Sequence, residues 1–399
     1  MIKASEFLLS QNQALLKNFS ELQADANHTK PLIQFMKGDP TEFGHEQCKM
    51  SQIGYDIVKS EISKSQNHSY CHSTGTQPAK QAVAKHFGHG KNITENDVII
   101  TQGVNQGLFY CLLGLCDPGQ NILVPELGFP FFDGIAQAYQ VEVRKYKLQS
   151  DNKWQIDLED LKSKLDVNTK FLYVINPSNP CGSVFSKEHV QEIINWANQN
   201  RVLIVADEIY YGMSFGEFVS FGELADEGPI ICLGGMDKMF FTPGWQISWM
   251  IFYDKNHYAD EIKQAMFNLC QLLLHANVFV MNSLPQILDQ LTIYYAKDRM
   301  THFKENHDFL IQELNQIRGL KCIPAQGTFY LAVLIDLDVF QVKNDTEFAK
   351  KLLKEENIML LPLSWNGTEK YQGFRMLTIA TKDIYIEMIA RLKEFVLRL

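Results

Sequence analysis

The sequence predicts an α/β fold in which a mainly parallel sheet, covered by helices, is joined to a smaller α+β domain. Short apolar runs alternate with helical segments through the middle of the chain, which is typical of parallel sheets with helices on both faces. The order changes in the last third, where a helix precedes several strands. The length of 399 residues suffices for about two domains.

Each predicted element follows from a local pattern. The first strand is the apolar run at residues 98–101, and turn residues at 117–120 end the helix that comes next. The other strands of the large domain are predicted at residues 121–125, 170–175, 202–206 and 230–233, and its helices at 104–116, 157–165 and 187–200. The small domain is predicted to contain a helix at 294–316, strands at 329–335, 359–361 and 374–380, and a final helix. We therefore expect an N-terminal arm with part of the small domain (1–45), a large domain (46–290) and a small C-terminal domain (291–399).

Composition limits the function classes. The formal net charge of −9 and the pI of about 5.7 predict neither a nucleic-acid partner nor binding to acidic membranes. No run of about 20 apolar residues is present, and residues 1–6 lack the apolar stretch of a signal peptide. The eight cysteines include no C-x-x-C pair, so we expect reduced thiols, no metal site and a cytoplasmic protein.

Three segments in the middle of the chain suit one cofactor. Residues 176–182 form a turn with an amide side chain, and residues 206–210 place an acid at a strand end. Residues 234–238 begin with two glycines and end in a lysine. An aromatic cofactor with a ring nitrogen, a phenolic oxygen and an aldehyde would use all three, which predicts pyridoxal 5'-phosphate.

Four side chains have predicted roles at the ring of this cofactor. Lys238 is predicted to bond to the aldehyde and to act as a general base once the substrate amine replaces it. Asp207 follows an apolar strand, beyond whose end ligands bind in such sheets, and is predicted to keep the pyridine nitrogen protonated. Tyr210 and Asn179 are predicted to hydrogen-bond the phenolic oxygen. Taken alone, each has a plainer interpretation: a surface lysine, a turn aspartate, a packing tyrosine and a turn asparagine.

The turn that follows the first strand is predicted to hold the phosphate. Gly103, Val104 and Asn105 begin a helix, where free N–H groups and the positive end of the dipole favour an anion. Phe129 is predicted to stack on the pyridine ring. Each signal is weak alone, because every strand–helix turn of such a sheet looks similar and a core phenylalanine is common.

Together these residues resemble the fold type I pyridoxal-phosphate aminotransferases, and among them the tyrosine aminotransferase family. The matching segments span nearly the whole chain and are residues 38–44, 176–187, 243–245 and 374–375. The resemblance implies a seven-stranded, mostly parallel sheet, a small domain and a homodimer with shared active sites. It also implies that Tyr70 reaches the phosphate of the other subunit, that Arg375 clamps the substrate α-carboxylate, and that Asn179 contributes to substrate binding.

The reaction implied by the resemblance moves an amino group from tyrosine, or another aromatic or hydrophobic amino acid, to a 2-oxo acid such as 2-oxoglutarate. A β-eliminating C–S lyase or a cyclopropane-carboxylate synthase would use the same core. A homologue without catalytic activity is a further alternative, because one expected phosphate ligand is missing.

The departures from the family pattern lie mostly near the phosphate. The family sequence Pro-Gly-Trp-Arg ends here in Gln246, an amide that cannot supply a charged, bidentate contact. Asp237 and Met239 flank the lysine, where the family has no acid before it and an arginine after it. Glu126 and Leu127 stand where Arg-Pro is common. These changes predict weaker noncovalent binding of the cofactor.

Overall fold

The computed structural model describes residues 29–293 and 295–399. Its central feature is a seven-stranded sheet, whose strands in chain order are β1 (Val98–Thr101), β2 (Asn121–Pro125), β3 (Glu142–Tyr146), β4 (Thr169–Ile175), β5 (Leu203–Asp207), β6 (Ile230–Gly235) and β7 (Ser248–Tyr253). Their spatial order is β1-β7-β6-β5-β4-β2-β3. Six of these strands run in the same direction, and β7 runs in the opposite direction between β1 and β6. The predicted fold class is confirmed.

Helices cover this sheet because their apolar residues recur on one face. The helices of this part of the chain are α1 (Gln52–Ile62), α2 (Gln77–Phe87), α3 (Gly103–Leu115), α4 (Phe131–Ile135), α5 (Leu158–Lys164), α6 (Lys187–Asn200), α7 (Met236–Met239), α8 (Asp260–Leu273) and α9 (Val278–Leu291). Helix α6 illustrates the pattern, since Val190, Ile193 and Ala197 are buried at helical spacing. Its N-terminus is capped by Ser186, whose side chain accepts the His189 N–H.

A second, antiparallel sheet follows in the chain. Its strands are β8 (Leu320–Ile323), β9 (Tyr330–Ile335), β10 (Leu361–Pro362) and β11 (Gly373–Leu377), in the order β8-β9-β11-β10. The accompanying helices are α10 (Met300–Leu314), α11 (Leu337–Phe340), α12 (Asp345–Glu356) and α13 (Lys382–Val396). Ile33–Gln34 pairs in parallel with Ile358–Met359 in a separate two-stranded sheet, which joins the described part of the predicted N-terminal arm to the segment just before β10.

Several boundaries differ from the sequence prediction. Strands β3 and β7 are absent from it, and β3 carries charged side chains because it is an edge strand. The helix predicted from residue 294 begins at Met300, after a 3₁₀ turn at Lys297–Arg299 whose three charged side chains offer no apolar face. The strand predicted at 359–361 is divided between two sheets. Residue 294 and residues 1–28 of the predicted arm lie outside the described residues.

The described helices include none that combines the length and the apolar character needed to cross a lipid bilayer.

Candidate active site

A cavity of about 410 Å³ lies between the carboxyl ends of the parallel strands and the antiparallel sheet. Such a position, at the ends of strands in an open α/β sheet, is where ligands bind in folds of this kind. Nine of the ten predicted site residues line it: Gly103, Val104, Asn105, Phe129, Asn179, Asp207, Tyr210, Lys238 and Arg375. The tenth, Tyr70, lies elsewhere on the surface.

Asp207, the last residue of β5, is held by two hydrogen bonds. Its Oδ2 accepts the hydroxyl of Tyr173 at 3.0 Å, and its Oδ1 accepts the Ile209 N–H at 3.1 Å. Burial raises the pKa of this carboxyl to about 6, against the lowering effect of the two hydrogen bonds. At neutral pH the side chain is therefore an anion aimed at the cavity. Tyr173 is missing from the sequence-based site, although a tyrosine inside an apolar strand was a usable signal.

Tyr210 meets a second tyrosine across the cavity. Its hydroxyl lies 2.8 Å from the hydroxyl of Tyr330 on β9. Burial, and then the neighbouring Tyr330, hold the pKa of Tyr210 well above its ordinary value, so the phenol stays protonated and can donate to an oxygen anion. Tyr330 is also missing from the sequence-based site, because nothing local separates it from a core tyrosine.

Arg375 links three distant parts of the chain. From β11 its Nη1 donates to Oδ1 of Asn179 at 2.9 Å, and its Nη2 donates to the Met36 carbonyl at 2.6 Å. Its guanidinium lies 4.5 Å from the ring centre of Tyr330. The side chain is buried, and its Nε has no hydrogen-bond partner among the described residues. A buried guanidinium with an unused donor is suited to a carboxylate ligand.

The turn after β4 positions Asn179. The side chain of Asn176 closes this turn by accepting the Phe185 N–H at 2.9 Å. Gly182 has a φ of +65°, and its carbonyl accepts two N–H groups from the segment that leads into β9. A Cβ atom on Gly182 would lie 2.6 Å from the Tyr330 carbonyl oxygen, so this approach requires glycine.

Lys238 lies in α7, directly after β6, and is half-buried. Its Nζ donates to the Gly38 carbonyl at 2.5 Å. Gly38 belongs to a segment that passes close over the cavity, since a Cβ atom there would lie 2.5 Å from the Tyr330 hydroxyl. The lysine thus faces the same space as Asp207 and Arg375.

The opposite end of the cavity is formed by the start of α3. The residue before this helix, Gln102, provides no side-chain cap, and Gly103 has a φ of +70°. A Cβ atom on Gly103 would lie 2.7 Å from Oε1 of Gln246, whose Nε2 donates to the Pro243 carbonyl at 2.6 Å. Gln246 therefore directs an acceptor, rather than a donor, toward the helix start.

Asp237 lies at this same end. Its side chain is 8% exposed, and its Oδ1 has no hydrogen-bond partner in the described part of the chain. Burial raises the pKa of this carboxyl to about 7, while the Lys238 ammonium lowers it. The resemblance leads one to expect a positively charged arginine at this end of the cavity. A carboxyl group and the amide of Gln246 lie there instead.

Tyr70 is 85% exposed, and its ring centre lies 5.8 Å from that of His275. Within this chain it does not reach the cavity, so its predicted contact with a second subunit stays a prediction.

The donor set fits pyridoxal phosphate. A buried carboxylate, a phenol, an amide and a lysine surround one end of the cavity, and Phe129 lies half-buried beside them. The uncapped start of α3 offers backbone N–H groups for a phosphate at the other end. When the cofactor is bound, Asp207, Tyr210, Asn179 and Lys238 would hold its ring, and Gly103, Val104 and Asn105 its phosphate.

Comparisons with known proteins agree with this arrangement. The sequence profile described as "Aminotransferase class I and II" matches residues 32–390. Tyrosine aminotransferase of Mus musculus is 32% identical over 379 residues, covering 94% of this chain and 83% of the relative. The crystal structure of tyrosine aminotransferase from Leishmania infantum superimposes with a TM-score of 0.92 at 28% identity, covering 100% of this chain and 98% of that one. An S-alkyl-thiohydroximate lyase of Arabidopsis thaliana is 30% identical over 390 residues, covering 95% of this chain and 83% of the relative.

Proposed function

Because the chain belongs to the class I and II aminotransferase family, we propose that it moves the amino group of tyrosine, or of another aromatic or hydrophobic amino acid, to a 2-oxo acid such as 2-oxoglutarate. It is a pyridoxal-phosphate-dependent aminotransferase that acts on amino acids and 2-oxo acids. The observation that carries the proposal is the meeting of Lys238, Asp207 and Arg375 in one cavity. The bound cofactor supplies an electron sink for the α-carbon of the substrate.

The side chains divide the remaining work among them. Asp207 pairs with the cationic ring nitrogen, and Tyr210 donates to the phenolic oxygen. Arg375 holds the substrate α-carboxylate, which fixes the α-carbon in front of Lys238. The freed amine of Lys238 accepts the α-proton as a general base and returns it as a general acid.

The lining of the cavity supports an apolar or aromatic substrate side chain. Phe129, Pro130, Ile175, Ile209 and Leu361 contribute apolar surface. A tyrosine or phenylalanine side chain gains free energy by burying its ring against such residues. The charged residues on the rim, Lys37 and Asp39, are at least partly exposed to solvent.

We further propose a homodimer in which a second copy covers an exposed apolar surface. This surface comprises Tyr70, Leu272, Leu273 and Leu274, which are 48% to 85% exposed. It adjoins the start of α3, because Gln102 donates to the His275 carbonyl and the Tyr70 ring lies beside the His275 ring. A second chain placed here would bring its Tyr70 toward the phosphate end of the first. Contiguous apolar surface of this kind marks protein interfaces.

The dimer is tested by light scattering. Leu272→Asp should yield monomers with strongly reduced activity, whereas Val167→Asp, at a 99% exposed position elsewhere, should remain dimeric. Wild-type protein that is fully active as a monomer would exclude shared active sites.

A cytoplasmic location is part of the proposal. All eight cysteines lie within the described residues and are free thiols. Six of them are buried, and burial raises the pKa of Cys48 and Cys322 to about 12, which keeps them inert. Reduced cysteines are typical of cytosolic proteins.

A C–S lyase is the second candidate, and the similarity to the Arabidopsis thaliana lyase favours it. The two activities share the ring-binding residues and differ in their products. A panel of amino donors and 2-oxo acids, with added pyridoxal phosphate, separates them. The proposal predicts glutamate and a 2-oxo acid from tyrosine with 2-oxoglutarate. Thiol and ammonia release from S-substituted cysteines, without any transamination, would instead assign the lyase activity.

A further inference from the structure

Asp237 is a buried carboxyl group, one oxygen of which has no hydrogen-bond partner among the described residues. It follows β6 in the short helix α7, and Oδ1 makes no hydrogen bond within residues 29–293 and 295–399. Its Oδ2 lies 3.9 Å from where a Cβ atom on Gly103 would be, so the carboxyl faces the start of α3. An unpaired buried polar atom is costly unless a ligand satisfies it.

Among the described residues, the positive charge that acts on Asp237 is the Lys238 ammonium, whose Nζ is hydrogen-bonded to the Gly38 carbonyl. The cavity-lining cations are Lys37, Lys238 and Arg375. Lys37 lies 3.7 Å from Glu42, while Lys238 donates to the Gly38 carbonyl and Arg375 to Asn179 and Met36, all at the ring end. At the start of α3, Gln246 adds only an amide oxygen. A phosphate dianion placed there would meet backbone N–H groups and a carboxylate.

We propose that the cofactor phosphate binds here together with one proton, shared between a carboxyl oxygen of Asp237 and a phosphate oxygen. Asp237 is then a cofactor-binding residue, and its O–H group, a neutral donor, compensates only in part for the missing charged donor. The proton comes from solvent, and no bond to carbon or phosphorus changes. A hydrogen bond of this O–H···O⁻ type is short and strong. The inference rests on the proposed placement of the phosphate at α3.

The electrostatic surroundings of Asp237 favour the protonated form that the proposal requires. Burial raises the pKa of Asp237, and a nearby dianion would raise it further. The opposing influences are the Lys238 ammonium and the Ile247 N–H. Gly103, Val104, Asn105 and the Pro243–Trp245 turn bring no ionisable side chain to this position. The second pKa of a phosphate ester is about 6, so the free ligand is mostly a dianion at pH 8.

Calorimetric titration measures this proton directly. Pyridoxamine phosphate is titrated into cofactor-free protein at pH 8 in buffers of different ionisation enthalpy, which gives the number of protons taken up. Pyridoxamine, which lacks the phosphate, is the matched ligand, because the ring and the amine also exchange protons. Asp237→Asn is the matched control variant, because the amide keeps the size of the side chain and cannot hold the shared proton.

The expected result is that wild-type protein takes up more than half a proton more with pyridoxamine phosphate than with pyridoxamine. Asp237→Asn should show no such difference. A difference of similar size in the variant, or none in the wild type, would overturn the inference while leaving the aminotransferase proposal intact. Failure of wild-type protein to bind pyridoxamine phosphate would contradict both.

A second measurement needs no variant. Above pH 8, wild-type affinity for pyridoxamine phosphate should fall by up to about tenfold per pH unit, the limit for one linked proton. The affinity for pyridoxamine should show a shallower dependence. Parallel pH profiles for the two ligands would overturn the inference even if Asp237→Asn does not fold.

Discussion

The two ends of the cavity are built in different ways. At the ring end, buried polar side chains are paired across neighbouring elements: Asp207 with Tyr173, Tyr210 with Tyr330, and Arg375 with Asn179. At the phosphate end, the backbone of α3 faces two acceptor groups, from Asp237 and Gln246. The ring end therefore has a fixed geometry of donors and charges, whereas the phosphate end has few groups committed to an anion.

Because of this difference, we expect the catalytic step and the retention of the cofactor to depend on different ends of the cavity. In the proposed function, preorganised, buried groups at the ring end would set the protonation state and orientation of the reacting atoms. Binding of the phosphate would depend instead on helix N–H groups and on the protonation of one carboxyl group. A substitution at the ring end should change turnover, and a substitution at the phosphate end should change how tightly the cofactor is held.

The largest effect is expected at Asp207. Asp207→Asn removes the buried charge that is proposed to pair with the ring nitrogen, and breaking such a pair costs about 3–5 kcal/mol, roughly 10²- to 4 × 10³-fold in turnover. Steady-state kinetics with saturating cofactor measures this loss. Turnover within a few-fold of wild type would show that the ring nitrogen is not held by this carboxylate.

The pH dependence of cofactor binding is a second test of the role of Asp207. In the cofactor-free protein burial raises the pKa of Asp207 to about 6, so the carboxylate is lost as the pH falls through that value, and the pH profile of cofactor affinity should have an acidic limb there. The Tyr173 hydroxyl lowers this pKa, so Tyr173→Phe should move the acidic limb to higher pH. An unmoved limb would assign it to another group.

Arg375 should affect substrate binding and leave the cofactor in place. A charged hydrogen bond contributes about 1.5–3 kcal/mol, so Arg375→Lys should reduce kcat/KM for tyrosine by at least about tenfold. The cofactor absorbance should be unchanged. Tyramine, which lacks the carboxylate, is the control substrate and should react equally with both proteins. Equal loss with tyramine would indicate a general disturbance of the site.

Substitutions of Gln246 test how tightly the phosphate end holds the cofactor. Gln246→Arg supplies a charged donor worth about 1.5–3 kcal/mol, so affinity for pyridoxamine phosphate should rise by roughly 10- to 150-fold. Gln246→Met is the uncharged control. Wild-type protein treated with an amino donor alone should lose pyridoxamine phosphate on extended dialysis. Full retention by the wild type would mean that other groups already compensate for the missing arginine.

A further effect concerns stability without cofactor. Burial raises the pKa of Asp237 from 3.8 to about 7, so between these values the native state binds a proton that the unfolded state lacks. Ionisation therefore destabilises the fold progressively as the pH rises from about 4 to above 7. Asp237→Asn should melt at a higher temperature than wild type at pH 8.5, and the difference should shrink at pH 5. Equal melting temperatures of the two proteins at both pH values would mean that the Asp237 carboxyl group is exposed to solvent in the native state.

The fold class was predictable because its signals are local. Apolar runs such as that of β5 end in chemistry-bearing residues, and Asp207 could be chosen for its place at a strand end. Strand direction was less accessible, since the composition of β7 does not reveal that it runs antiparallel. The divided strand at residues 358–362 likewise depends on two different partner strands.

The candidate site was only partly predictable for the same reason. Tyr330 lies near Arg375 because the register places Ala332 opposite Arg375, which makes Tyr330 a diagonal neighbour. Sequence alone also could not show that Asp237 is buried at the start of α3, since these segments are far apart in the chain. The sequence identified the departure at this position, and the structure adds its surroundings.

Lys238 is central to the proposed function, because it is the residue proposed to bond to the cofactor. The most direct measurement is borohydride reduction of the protein with bound pyridoxal phosphate, followed by proteolysis and peptide mass mapping. We expect the added cofactor mass on Lys238, and none on the peptide that carries Lys37, the second lysine in the cavity lining. Mass on another lysine, or no fixed cofactor in protein that is active, would contradict it.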